Sequence, residues 1–218
     1  MTESEQQQRE RALWDSRAEA YDDRVMQTFT EAYRLTSEAI LEVVNPSSNV
    51  LEMGCGTGIV TVEIAPNVRE MTGIDISPKM IARAQEKARR QNLKNVTFKV
   101  LDASELPFPD HAFDVVLLPN LLHLVPQPEK VIKESRRLLK PGGTLVTVTD
   151  CLGAPAPLKI KIQLLYGRLL KLFGKMKNLH FYKPMDLKRL LSDNGFEVIK
   201  EANLHQKSIN YLLIGRRK

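Results

Sequence analysis

The stretch Val50-Leu51-Glu52-Met53-Gly54-Cys55-Gly56-Thr57-Gly58 runs from an apolar strand into an acid and then into three glycines at alternate positions. A second short apolar run, Gly73-Ile74-Asp75-Ile76-Ser77, follows, with Asp75 seventeen residues after the last glycine. Glycines let the backbone turn sharply and come close to a ligand. A helix starting behind such a turn presents unpaired N–H groups to whatever is bound. An acid about 20 residues further on is placed to hold ribose hydroxyls. The pair predicts a nucleoside site at the carboxyl edge of a parallel sheet.

The glycine spacing narrows the nucleoside. In the dinucleotide fingerprint G-x-G-x-x-G the third glycine allows close helix packing beside a pyrophosphate; here Ile59 holds that place. The phosphate loop G-x-x-x-x-G-K-[ST] is absent as well. With E-x-G-x-G-x-G over Glu52 to Gly58 and the acid at Asp75, the chain resembles the class I S-adenosylmethionine-dependent methyltransferases, in particular the small-molecule group that acts on ubiquinone and menaquinone precursors. The resemblance covers roughly residues 45–150. It implies S-adenosylmethionine as cofactor, with Glu52, Gly54, Cys55, Gly56, Thr57, Gly58, Asp75 and Ile76 around it.

Further blocks follow in family order. The β-rich run Val96-Thr97-Phe98-Lys99-Val100-Leu101 ends at Asp102-Ala103, a place the family uses for adenine. Asp102 is suited either to accept from an exocyclic amine or to cap Ser104 and Glu105. Phe113-Asp114-Val115-Val116-Leu117-Leu118 is near-continuously apolar, as for a strand buried on both faces. It ends at Pro119-Asn120, where the resemblance places the methionine end of the cofactor. Lys140-Pro141-Gly142-Gly143 stops the preceding helix and leads into a fifth strand, Thr144 to Thr149.

Alternation of elements over residues 49–150 predicts strands at 49–53, 69–74, 96–101, 113–118 and 143–149, and helices at 58–65, 78–91 and 128–139. Ser77 and Pro78 are suited to N-cap and first turn. Such a pattern implies an α/β fold, a doubly wound, Rossmann-like, mostly parallel sheet. A helix at 184–194 and strands at 196–199 and 208–215 complete seven strands, the last antiparallel by resemblance. The expected organisation is one methyltransferase domain over 1–218: an N-terminal helical cap (1–45), a cofactor-binding core (46–150), a helical lid insertion before strand six (151–183) and a closing unit (184–218). Helices are expected at 4–20 and 27–44, the first carrying Trp14, Ala18 and Tyr21 on one face. Ala18-Glu19-Ala20-Tyr21-Asp22 matches a family pattern in a helix that folds over the cofactor, which makes Tyr21 either a lining residue or a packing residue.

Of the 218 residues, 43% are hydrophobic and 27% charged, which suits a soluble enzyme. No apolar run reaches membrane-span length, and residues 1–11 lack a signal-peptide core. Cys55 and Cys151 are the only cysteines; they imply reduced thiols in the cytoplasm and offer no zinc-ligand spacing. Residues 1–150 hold 18 Lys+Arg against 22 Asp+Glu, whereas residues 151–218 hold 14 against 4. Within the basic third, residues 158–177 carry six basic residues and no acid, with Lys161, Arg168, Lys171 and Lys175 on one helical side and Ile162, Leu165, Leu169 and Phe173 on the other. That segment fits a peripheral membrane contact, a lid over the substrate, or a helix packed by its apolar face.

A sulfonium methyl is already activated, so the protein mainly positions and excludes water. A base is needed only where the nucleophile must lose a proton, and no metal is required. His123, just past the fourth strand, and Tyr21 are the candidate catalytic residues; a structural His123 bonded to backbone is the alternative. His180, Tyr182 and Tyr166 lie in the variable region and receive no role. Nucleic-acid amino-methyltransferases of this fold carry [N/D/S]-P-P-[Y/F] after the fourth strand; here Leu118-Pro119-Asn120-Leu121 stands there, which argues against adenine or cytosine N-methylation. The lack of an evident RNA-binding module, the small size and the helical cap favour a small-molecule acceptor over nucleic acid. The expected function is methyl transfer to a small molecule. The alternatives are a membrane-surface enzyme for a lipid or quinone precursor, and a binding protein without catalysis.

Overall fold

The computed structural model describes residues 3–153, 178–204 and 210–218. In chain order the elements are α1 (Glu3–Arg17), α2 (Tyr21–Leu41), β1 (Asn49–Met53), α3 (Ile59–Ile64), β2 (Glu70–Asp75), α4 (Pro78–Arg90), β3 (Val96–Val100), β4 (Phe113–Pro119), α5 (Pro128–Leu138), β5 (Leu139–Asp150), α6 (Pro184–Asp193), β6 (Phe196–Asn203) and β7 (Asn210–Arg217). The seven strands form one sheet in the order β3-β2-β1-β4-β5-β7-β6. β1 to β5 pair in parallel, and β7 runs antiparallel between β5 and β6.

Side-chain alternation sends successive strand residues to opposite faces. Leu51, Met53, Val116, Leu118, Leu145 and Leu213 join one core with α5 and α6 residues such as Ile132 and Leu191. Val50, Val115, Leu117, Val146, Val148, Leu212 and Ile214 join the other with Ile40, Val60 and Ile64 of α2 and α3. Helices thus cover both faces, and the central strands are apolar throughout for that reason. The order reverses between β1 and β4. At such a switch point the loops leaving the two carboxyl ends diverge and open a crevice.

Several boundaries differ from the expectation. The first helix ends at Arg17, so Tyr21 opens α2 and does not share a helix with Trp14. β5 begins at Leu139, where it pairs with Phe113 across an irregular register. Its backbone is already extended at Leu139, two residues ahead of Pro141. Ser77 caps α4 as expected, its Oγ accepting from the Met80 N–H at 3.1 Å. The basic segment 158–177, including Tyr166, lies outside the described residues.

Candidate active site

The glycine loop leaves β1 at the switch point. Gly56 and Gly58 both take positive φ, 53° and 76°, a region L-residues with a Cβ enter at a cost. Gly58 packs against α4: a Cβ there would sit 2.9 Å from the Ala84 Cβ. Gly56 faces open space, with only Tyr21 Cε1 near, at 3.9 Å. The loop borders an open cleft of about 1250 Å³, part of it continuous with solvent.

Of the expected cofactor residues, Glu52, Gly54, Cys55, Gly56, Thr57, Asp75, Ile76, Asp102, Ala103 and Pro119 line this single cleft. Gly58 stands behind it as the N-cap of α3. Asp75 accepts from the Gly56 N–H at 3.0 Å and the Ser77 N–H at 2.9 Å, joining the loops after β1 and β2. Burial raises its pKa, and those backbone bonds pull the other way. Asp102 accepts from the Ser104 N–H at 2.8 Å and from Gln7 Nε2 at 2.9 Å. Gln7 belongs to α1, which crosses the cleft and is held there by Asp15, whose Oδ1 accepts from Ser77 Oγ and, at 3.1 Å, from the Lys79 N–H. Those contacts place a carboxylate at the N-terminus of α4, where the helix dipole favours it.

Glu52 is 1% exposed and accepts from the Thr61 hydroxyl. Burial pushes its pKa up from 4.5 to about 8; the Thr61 bond opposes the rise and Asp75 adds to it. The folded chain therefore holds a proton there that the unfolded chain releases at lower pH. Stability falls as pH rises from about 4.5 and levels off beyond about 8. Accordingly, melting temperatures of the ligand-free protein followed by circular dichroism should drop across that window, and Glu52→Gln should flatten the drop. A slope unchanged by that substitution would place the buried proton elsewhere.

The segment after β4 supplies another part of the lining, with Leu121 packed against Gly54. Pro119, Leu121, Leu124 and Val125 form an apolar wall. Tyr21 and Tyr33 of α2 and Asn120 also line the cleft, Tyr21 beside Gly56. The two tyrosine hydroxyls are 3.4 Å apart, and burial raises the pKa of both, so they stay neutral. His123 is absent from the lining. It is 6% exposed, with Nε2 3.9 Å from Asp150 Oδ2. Burial lowers its pKa although Asp150 opposes this, so the pair is a polar contact between a neutral imidazole and a carboxylate. His180 Nε2 meets the Val125 carbonyl at 2.9 Å and its ring stacks on Tyr182, which ties the residues after 177 to the same loop.

Tyr33, Gln7 and Glu10 also line the cleft and were not singled out by the sequence. Tyr33 reads there as one more member of the buried stripe with Thr36 and Ile40. The sequence has no signal for Gln7, which sits in a polar helix without an apolar face.

A switch-point crevice with a glycine loop and two strand-end acids defines a nucleoside-cofactor enzyme, and comparison with known proteins gives its class. Residues 51–147 match the family described as methyltransferase domain. A phosphatidylethanolamine N-methyltransferase of Cereibacter sphaeroides is 33% identical over 155 residues, 70% of this chain and 72% of the relative. The chain belongs to the class I S-adenosylmethionine-dependent methyltransferases. It is also similar to a demethylmenaquinone methyltransferase of Bacillus cytotoxicus, 36% identical over 67% of this chain and 62% of that one. A solved structure of a SAM-dependent methyltransferase from Thermotoga maritima shares the fold with a TM-score of 0.70 at 21% identity, covering 95% of this chain and 99% of the other. Among the described residues no helix is long and apolar enough to cross a membrane.

Proposed function

We propose that the chain transfers the methyl group of S-adenosylmethionine to a small amphiphilic acceptor whose reacting end is neutral or cationic. The observation that carries this reading is the charge of the cleft. Among the described residues its lining holds Glu10, Asp75 and Asp102, with Glu52 protonated up to about pH 8, and no Lys, Arg or His. A pyrophosphate or a nucleic-acid backbone brings negative charge that such a lining repels, whereas a sulfonium and an ammonium are attracted.

In this reading Asp75 holds the ribose hydroxyls and Asp102 the adenine amine, with Ile76 and Ala103 beside the base. Gly54, Cys55, Gly56, Thr57 and Gly58 bring backbone close to the cofactor, and Glu52 and Pro119 stand toward its methionine end. Bound S-adenosylmethionine supplies a methyl group activated for in-line displacement. The chain's own residues position the partners and keep water out. The wall of Leu121, Leu124 and Val125 suits an apolar acceptor body. The names of the two relatives, for phosphatidylethanolamine and demethylmenaquinone, support an acceptor of that kind. The buried free thiols Cys55 and Cys151 support a reducing compartment such as the cytoplasm.

Calorimetric titration should show binding of S-adenosylmethionine and S-adenosylhomocysteine and none of NAD. Release of S-adenosylhomocysteine with members of an amine, phenol and quinol panel should then identify the acceptor class. Tight NAD binding with no response to S-adenosylhomocysteine would overturn the cofactor assignment. Binding without turnover on any acceptor would leave the binding-protein alternative.

A further inference from the structure

Resting on the reading above and deepening it, we infer that Glu52 couples cofactor binding to proton release. It is a neutral carboxylic acid in the ligand-free protein, and it loses its proton when the cationic end of S-adenosylmethionine settles beside it.

Glu52 lies in β1 between β2 and β4, where its register neighbours are Gly73 and Leu117. Neither side chain offers it a donor or a charge. The Thr61 hydroxyl is bonded to Oε2. Oε1 has no hydrogen-bond partner among the described residues, yet it is not one of the unpartnered polar atoms sealed from solvent. Glu52 lines the cleft, so Oε1 is the oxygen that a ligand reaches. Asp75 from the end of β2, Cys55 from the glycine loop, and Tyr21 and Tyr33 from α2 all act on Glu52 electrostatically. None of them is a cation, and the described lining holds no Lys, Arg or His. An ionised carboxylate so withdrawn from water is unfavourable without a counter-charge, and a second carboxylate nearby makes it more so. The proton therefore stays, in line with the rise to about 8 that burial imposes.

A ligand cation reverses this balance. S-adenosylmethionine carries a sulfonium and an α-ammonium, both at the end assigned to this part of the cleft. A positive charge within about 4–6 Å favours the ionised acid. The O–H bond breaks, its electron pair stays on the carboxylate oxygen, and the proton passes to the buffer. Release of a proton on binding makes affinity rise with pH until Glu52 is ionised in the free protein as well. Cys55, Tyr21 and Tyr33 keep their protons throughout, because burial raises each above an ordinary value that is already alkaline. Asp75 is the group that the test must separate from Glu52.

Calorimetric titration of the full chain at about pH 6.5, in buffers of different ionisation enthalpy, counts the protons released. S-adenosylmethionine should release about 0.5–1 proton per site. Its affinity should rise about tenfold between about pH 6.5 and about pH 8. Methylthioadenosine, which lacks both cations, should release none. S-adenosylhomocysteine keeps the ammonium alone, so release with it assigns the effect to the ammonium and no release assigns it to the sulfonium. Glu52→Gln keeps a carbonyl oxygen for Thr61 and should abolish both the release and the pH dependence. An infrared difference spectrum of the unmodified protein reads the same proton without a variant: the C=O band of a carboxylic acid should disappear when S-adenosylmethionine is added. No release with S-adenosylmethionine, or equal release with methylthioadenosine, would overturn the inference. Release that survives Glu52→Gln would do so too, by giving the proton to Asp75. Failure of the unmodified protein to bind either S-adenosylmethionine or S-adenosylhomocysteine would instead sink the functional reading itself.

Discussion

Gly56→Val is expected to give a folded protein whose affinity for S-adenosylmethionine has fallen by more than about a hundredfold, or roughly 3 kcal/mol. A Cβ at this position meets no protein atom closer than Tyr21 Cε1 at 3.9 Å. The valine methyls therefore enter the cleft, in the space the cofactor is assigned. The positive φ of 53° adds strain of about 1–2 kcal/mol, which a domain with a typical stability of about 5–15 kcal/mol survives. Gly58→Val is the contrast. There a Cβ lies 2.9 Å from the Ala84 Cβ and 3.3 Å from Phe98 Cζ, so α4 has to move and the melting temperature should fall first. Thermal melts and calorimetric titrations of both variants separate the two effects. Unaltered cofactor binding by a folded Gly56→Val protein would show that the cofactor does not approach the backbone here.

Asp75→Ala should weaken cofactor binding by about 1.5–3 kcal/mol per charge-assisted bond lost, or roughly ten- to 150-fold in Kd. The structure adds a second consequence. Asp75 also accepts from the Gly56 and Ser77 N–H groups, so its removal loosens the glycine loop and the start of α4 together. Asp75→Asn separates the roles in part, because its carbonyl oxygen can still accept from Ser77. It should restore much of the thermal stability but little of the affinity. An Asp75→Ala protein that binds S-adenosylhomocysteine as the unmodified chain does would exclude Asp75 as the ribose partner.

The sheet was legible because its signals are local. Continuous apolar runs and the helix cap at Ser77 depend on neighbours in the chain, and most strands and helices fell close to expectation; α2 opens well before residue 27, and Lys140 to Gly143 lie within β5 rather than in a stop ahead of it. The spacing of Glu52 to Gly58 and Asp75 carries the cofactor class for the same reason, since one loop and the end of the next strand build that edge. Tyr21 was assigned to the wrong helix because Trp14, Ala18 and Tyr21 keep helical spacing across residues 18–20, where the helix in fact ends.

By itself the sequence determined the fold class, the position of the glycine loop and the acids at the strand ends, all properties of short segments. The tertiary structure alone decided which distant side chains share the cleft. It brings Gln7 onto Asp102 across 95 residues and Tyr33 against Asn120. It turns His123 toward Asp150 and away from the lining. It also gathers four acids with no cation among the described lining residues. The reason is physical: a side chain's partners and burial follow from how α1, α2 and the loop after β4 pack over the switch point. No periodicity within any one of those segments encodes that arrangement.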